Sequence, residues 1–259
     1  MLNELEKMIM DNFNESEGVL REDEPNCPLC KNRRYFKKIE SHRGDEYIVD
    51  APCVCLRKIK SFRLCKRSGL AEQIKEFRFD NFTIDLAHQK KMFRTAQEFL
   101  KTGKRSWLVM LGQTGCGKTH ICTAVCAELM NRGYSVRYMR WAVELKRLKG
   151  LAMDTYEYAK AVDEIFSSDV IYIDDIFKRG KKADGSPAYP TDADVKLAFE
   201  IIDTARALGK TLIISGEDIL QGLINIDEAI AGRISQKAGQ FLVQVNLATQ
   251  KNFRLVVSA

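Results

Sequence analysis

"LGQTGCGKTH", residues 111–120, is the stretch on which the reading of this sequence turns. It follows an apolar run, WLVM (107–110), and opens a stretch of helical character, 118–130, that Gly133 stops. Gly112, Gln113, Thr114, Gly115, Cys116, Gly117, Lys118 and Thr119 fit the pattern G-x-x-x-x-G-K-[ST]. Glycines at these places let backbone N–H groups turn inward toward phosphate oxygens. Lys118 is placed to reach the β- and γ-phosphates, and the Thr119 hydroxyl to meet Mg²⁺. The helix that continues through His120 adds the partial positive charge of its N-terminus. A strand before and a helix after are the context this motif requires. Residues 112–120 are therefore expected to hold the phosphates of a nucleotide.

The partner of such a loop is an acid at a neighbouring strand end. "DVIYIDDIF" (169–177) supplies two, Asp174 and Asp175, after a buried strand at 170–173. In open parallel sheets the C-terminal strand ends face the ligand. Asp174 is expected to hold Mg²⁺, directly or through water, and Asp175 to orient or deprotonate an attacking water. The plainer alternative is a pair of helix N-cap acids. "TLIIS" (211–215) ends at Ser215, followed by Gly216 and Glu217. A polar side chain there either touches the γ-phosphate or the attacking water, or simply ends the strand in a turn. Arg233, in "IDEAIAGRISQK" (226–237), is either a solvated charge or an arginine finger for a neighbouring subunit.

From about residue 90 the pattern alternates. Helices are expected at 89–101, 118–130, 192–208 and 227–238, with polar helical material up to 168. Strands are expected at 107–111, 135–139, 170–173 and 211–215, and near 241–245 and 253–257, with a loop over 178–190. This alternation predicts an α/β fold with a parallel sheet covered on both faces.

Upstream the chain is different. Cys27, Cys30, Cys53 and Cys55 are spaced C-x₂-C, then 22 residues, then C-x-C. The intervening segment is polar, with short strand-like pieces such as Tyr47-Ile48-Val49, and cannot build a large core alone. Four thiolates on two knuckles suit tetrahedral Zn²⁺, and four ligands leave no open position, so the site reads as structural. Cys65 and His42 are substitute ligands, and unbonded thiols are the alternative. Cys116, Cys122 and Cys126 read as small packing residues. Leu2, Leu5, Ile9 and Phe13 lie at helical spacing over 2–13, on a helix that packs on its own domain or docks a partner. A basic helix follows at 56–70, with Gly69 near its end. Then comes the connector "FRFDNFTID" (77–85), whose Phe77, Phe79 and Phe82 read as anchors into the larger domain.

The formal charge of +6 permits nucleic-acid contact without demanding it. "FKRGKK" (177–182) follows directly after the acid pair, so Lys178, Arg179, Lys181 and Lys182 are candidate DNA contacts; solvated loop charge is the alternative. "RYMRW" (137–141) mixes cations with aromatics that either stack on bases or pack in a strand. There is no apolar leader and no apolar run of membrane-spanning length, so a cytoplasmic protein with no membrane contact is expected.

Taken in order, these features resemble the DnaC/DnaI-type replicative helicase loaders, in particular the versions of phages and mobile elements. The resemblance runs through "CPLC…CVC", "RLCKRSGL", "FDNFT", "GKTH", "YIDDIF", "TDADVKLAFEIID" and "IDEAIAGRI". It implies an AAA+ P-loop ATPase core using ATP and Mg²⁺, with a small zinc-bearing module ahead of it. It also implies ATP-dependent self-assembly, contact with single-stranded DNA and delivery of a hexameric replicative helicase. Residues 1–70 would dock the helicase, 71–89 would link, and 90–259 would form the AAA+ domain. Arg233 falls where that family carries its arginine finger. Ser215 and Gly216 fall at the first sensor position, where related proteins often have asparagine, so that role stays open. Arg254 is a weak second-sensor candidate. Two rival readings share the phosphate loop. An IstB-like transposition helper has a similar ATPase core, but a helical N-terminal piece would be expected there. A zinc-bearing nucleoside kinase places its metal module after the core, whereas here it precedes it.

Overall fold

In the computed structural model, which describes residues 2–21, 24, 26–103, 105–178, 180 and 188–245, the chain divides into two units, Met1–Arg63 and Leu64–Ala259. The first opens with helix α1 (Glu4–Glu15). Asn3 caps it: its Oδ1 accepts the Glu6 N–H at 2.8 Å, and the Glu6 carboxylate accepts the Asn3 N–H at 2.9 Å. Strands β1 (Tyr35–His42) and β2 (Asp45–Pro52) form an antiparallel hairpin. The two turn residues, Arg43 and Gly44, both have positive φ, 54° and 90°, as a tight two-residue hairpin turn demands. The sequence signal was confined to residues 47–49 because both faces of this hairpin mix polar and apolar residues and are largely exposed, which hides the period-2 pattern. Helix α1 does pack on its own unit. Asn14 Nδ2 donates to the Lys37 carbonyl at 2.8 Å and its Oδ1 accepts the Lys37 N–H at 2.9 Å. The Phe13 ring lies beneath Arg33 and Lys37. The other face of α1 leaves Leu5, Met8 and Ile9 more than half exposed.

Helix α2 (Cys55–Ser68) stops before Gly69, whose φ of 79° breaks the helix, and α3 (Leu70–Glu76) starts anew. The second unit continues with α4 (Ala87–Thr102), β3 (Leu108–Gly112), α5 (Lys118–Asn131), β4 (Val136–Arg140), α6 (Trp141–Leu151), α7 (Thr155–Phe166) and β5 (Val170–Asp174). It closes with α8 (Asp192–Ala207), β6 (Thr211–Gly216), α9 (Leu220–Ile226), α10 (Glu228–Ala238) and β7 (Leu242–Val245). The polar helical material expected up to 168 is two helices, separated where Asp154 caps α7 by accepting the Glu157 N–H. The expected strand at 253–257 and Arg254 lie outside the described residues, as do Arg179, Lys181 and Lys182.

The strands pair in the order β4-β5-β6-β3-β7, all parallel. Alternation within them feeds two cores. Val109, Leu111, Ile171, Ile173, Leu212 and Ile214 pack on one side with α6 to α10. Leu108, Met110, Val170, Tyr172 and Ile213 pack on the other with α3, α4 and α5. Every residue of β3 and β5 is buried, which is why these runs carry no polar face. β3 and β5 flank β6, so the phosphate loop and the acid pair emerge at the same edge of the sheet.

Candidate nucleotide site and thiol cluster

The phosphate loop leaves β3 through glycines whose backbone no other residue could follow without strain. Gly112 has φ 127°, and a Cβ there would sit 2.2 Å from the Val245 carbonyl oxygen. Gly117 has φ 98°, and a Cβ would meet the Phe82 ring at 2.8 Å. Helix α5 begins at Lys118, so its first N–H groups, which have no partner within the helix, face the loop. The loop borders a cleft of about 280 Å³, lined among others by Thr114, Lys118, Thr119, Asp175 and Glu217. Lys118 is buried, and its ammonium donates to the carbonyls of Gly112 and Gln113, both at 2.7 Å. A phosphate at the loop would take over those bonds. Cys116 packs in the core, as its small apolar side chain suggested.

Asp174 is the most heavily bonded acid of the site. Its Oδ1 accepts the hydroxyls of Ser215 at 2.5 Å, Tyr172 at 2.8 Å and Thr119 at 3.4 Å, and its Oδ2 accepts Tyr138 at 2.8 Å. Burial, and then the adjacent Asp174 charge, push the Tyr138 phenol well above its usual range, so it donates and does not ionise. Asp175 follows with φ 57° and lines the cleft; its carboxylate pairs with Lys178 at 2.8 Å. Ser215 is fully buried and bonds to both acids, donating to Asp174 and accepting the Asp175 N–H at 3.0 Å. Lys178 is also within 3.0 Å of Glu217, whose carboxylate accepts the Thr114 hydroxyl at 2.9 Å.

His120 sits at the cleft edge, where its Nε2 donates to the Arg78 carbonyl at 2.8 Å and its ring lies 5.0 Å from both Phe77 and Phe82. Phe82 is buried in the core as an anchor, whereas Phe77 lines the cleft beside His120. Arg233 does not line this cleft. Its Nε donates to Asp203 at 2.9 Å, its Nη1 to the Ala229 carbonyl at 3.1 Å, and its guanidinium lies 4.4 Å from the Phe199 ring centroid. The aromatics of "RYMRW" are not a base-stacking surface: Tyr138 and Trp141 are both 3% exposed, one bonded to Asp174 and the other packed edge-on against Phe177.

The sequence reading missed the two tyrosines, Glu217 as the partner of Thr114, and Asp203. A signal existed for the tyrosines. Tyr172 precedes Asp174 by two residues on one strand, hence on the same face, and Tyr138 is its register partner across β4 and β5.

In the first unit, the Sγ atoms of Cys27, Cys30, Cys53 and Cys55 all lie within 4.8 Å of one another. Cys27 and Cys53 are 3.8 Å apart and Cys30 and Cys55 3.5 Å. A tetrahedral zinc with bonds of about 2.3 Å requires sulfur separations of about 3.8 Å, so the thiols fit that ion. Positive φ at Lys31, Asn32 and Arg34 bends the first knuckle, and the Arg34 N–H donates to Cys30 Sγ at 3.2 Å. The hairpin brings the second knuckle back, with the Cys53 N–H donating to the Arg34 carbonyl at 2.8 Å. Neither substitute ligand takes part: Cys65 Sγ lies against Met130 Sδ at 3.3 Å, and His42 is exposed at the hairpin turn.

The five-stranded parallel sheet, the phosphate loop and the acid pair beside it define an ATP-binding AAA+ domain, carried here with a four-cysteine cluster. The chain belongs to the IstB-like ATP binding protein family, whose model matches residues 56–215. That match begins directly after Cys55 and so leaves the four cysteines outside it. The phage-like element PBSX protein XkdC of Bacillus subtilis (strain 168) is 26% identical over 267 residues, 96% of each chain. The replicative helicase loader DnaC of Escherichia coli (strain K12) is 26% identical over 120 residues, 46% of this chain and 47% of DnaC. Among solved structures, that of DnaI aligns with a TM-score of 0.54 at 17% identity, covering 68% of this chain and 94% of that one, a likeness of fold. Among the described residues, no helix is long and apolar enough to cross a membrane.

Proposed function

We propose that this chain is an ATPase that loads a hexameric replicative helicase onto single-stranded DNA in the cytoplasm. The observation that carries the reading is the joining of an AAA+ nucleotide cleft to a four-thiol module on one chain, with Arg233 held away from the chain's own cleft. The likeness to the helicase loader DnaC supports the direction of the reading.

In this reading Lys118 and the loop N–H groups bind the phosphates, and Thr119 and Asp174 hold Mg²⁺, which would supply charge neutralisation at the phosphates. Asp175 orients the attacking water. Ser215 fixes both acids from beneath. Arg233 completes the cleft of a neighbouring copy, so that ATP favours self-assembly and hydrolysis releases it. Zinc at Cys27, Cys30, Cys53 and Cys55 would supply a rigid crosslink for a unit with little apolar core. The helicase docks within residues 1–70, where the exposed Leu5, Met8 and Ile9 offer an apolar stripe. Lys178 is held by two carboxylates, and the DNA contacts are assigned to Arg179, Lys181 and Lys182 on their place in the sequence alone.

The test is size-exclusion chromatography with light scattering of the chain mixed with its host's replicative helicase, with ATP·Mg²⁺ and without nucleotide. A co-eluting complex, lost in a Cys27→Ser, Cys30→Ser double variant, is the expected result. No complex in any nucleotide state would sink the loader reading for that helicase. The IstB-like family match favours a second reading, a transposition helper, and that outcome would move it to the front.

A further inference from the structure

The turn after β5 is strained, and it ends in a cation. Asp175 and Phe177 both hold positive φ, 57° and 51°, a conformation costly to residues with side chains. The turn keeps it because its neighbours are locked. Ile176 and Phe177 are buried, the Ile176 N–H donates to the Ser215 carbonyl at 2.9 Å, and Phe177 packs on Trp141 at 5.6 Å. The Lys178 N–H donates to the Asp175 carbonyl at 3.0 Å and closes the turn. Closure brings the Lys178 ammonium back to Asp175, and there it also meets Glu217.

The ends of β5 and β6 therefore converge on one ammonium through Asp175 and Glu217, and Thr114 of the phosphate loop joins them by donating to Glu217. Thr114, Asp175 and Glu217 line the nucleotide cleft, and Lys178, itself outside that lining, is held to it by the two carboxylates. Two carboxylates facing a site for a polyanion would repel it, and Lys178 offsets that repulsion. The usual range of each partner moves accordingly. The Asp175 carboxylate raises Lys178. Against the effect of burial, Lys178 and Thr114 hold Glu217 below the usual carboxylate range. Ser215, the other candidate to read a γ-phosphate, has its hydroxyl engaged with the acid pair inside the core.

We propose that Lys178 distinguishes a nucleoside triphosphate from a diphosphate in this cleft, shared between Asp175 and Glu217 until a γ-phosphate draws it off Glu217. Glu217 is then the residue that holds the cation back, so the two should act in opposite directions. The inference rests on the ATP-binding reading of the cleft and adds a sensor to it.

Isothermal titration with AMPPNP and with ADP, each with Mg²⁺, tests this on wild type, Lys178→Gln and Glu217→Gln. Lys178→Gln should weaken AMPPNP about tenfold more than ADP, the loss of one charge-assisted bond made only to the triphosphate. Glu217→Gln frees the ammonium and should raise the triphosphate preference. A ratio of affinities equal to wild type in both variants would overturn the proposal. Lys178 is exposed and Glu217 half-buried, 44% and 30%, and neither belongs to the apolar core, so neither change empties it. Lys118→Ala, expected to lose both nucleotides, checks the cleft itself. A wild type that binds neither nucleotide would bring down the ATP reading, an outcome distinct from an unchanged ratio.

Discussion

Ser215→Ala separates two roles for one hydroxyl. If Ser215 works on the γ-phosphate, its loss is felt only when nucleotide is bound. The structure gives it work without any ligand. It donates to the Asp174 carboxylate at 2.5 Å and accepts the Asp175 N–H at 3.0 Å, at a fully buried position. Removing the hydroxyl deletes one charge-assisted bond, worth about 1.5–3 kcal/mol, and leaves an N–H short of its acceptor, a further cost of about 1 kcal/mol. Asp174 keeps the hydroxyls of Tyr138 and Tyr172, which softens the first loss. A net destabilisation of about 2–3 kcal/mol is expected, and in a domain of this size each kcal/mol moves Tm by about 2–4 °C. Calorimetry without nucleotide or added Mg²⁺ should therefore show Tm lowered by roughly 4–12 °C. A Tm unchanged without ligand, together with loss of the stabilisation that ATP gives the wild type, would refute the positioning role and return Ser215 to the γ-phosphate.

Three further outcomes follow from the geometry. Gly112→Ala should abolish ATP binding in equilibrium titration, because its Cβ would sit 2.2 Å from a backbone oxygen at φ 127°; retained affinity would mean that β7 yields easily. Metal analysis of freshly purified protein should find one zinc per chain, lost together with hairpin amide protection when Cys27 and Cys30 are changed to Ser. A metal-free protein with a protected hairpin would discard the zinc reading. Glu24 is held below its ordinary value of 4.5, chiefly by Arg34, so the stability it contributes is complete above that value and fades as pH falls through its lowered one. The difference in Tm between wild type and Glu24→Gln should thus close on acidification, and a gap constant from about pH 7 to pH 3 would rule the pairing out as its source.

What the sequence made legible depended on how locally each signal is encoded. The phosphate loop is encoded within eight residues, and its glycines stand where the backbone has no alternative, as at Gly112. The central strands β3 and β5 are continuous apolar runs because both faces are covered, and the five strands were read to within a residue or two. The hairpin was half hidden, since a ribbon with polar and apolar residues mixed on both faces is held by its turn and by the cysteines and leaves no hydrophobic period. The network around Asp174 could not be read from spacing alone. Tyr138, Thr119 and Ser215 come from three elements, and only the strand order brings them to one carboxylate. "RYMRW" misled for the same reason: an aromatic beside a cation reads as a surface for bases until a neighbouring strand supplies Asp174 to Tyr138.

Among the described residues, the three cations assigned to the candidate site all have partners within the chain. Lys118 is bonded to two carbonyls, Lys178 to two carboxylates, and Arg233 to Asp203 and the Phe199 ring. A nucleotide in this cleft must compete with the contacts of Lys118 and Lys178, so binding to a single chain forfeits part of the gain it would have in a prepared site. Arg233 lies outside its own cleft, so under the proposed function it reaches the phosphates of a second copy. Both facts push in one direction. Nucleotide should bind an assembled form better than an isolated chain, and that differential affinity is what a ligand needs in order to shift an equilibrium. The affinity for AMPPNP should tighten as protein concentration rises and should do so less in Arg233→Ala. An affinity independent of concentration, equal in both proteins, would break the link between the cleft and assembly and leave Arg233 as a charge held by Asp203.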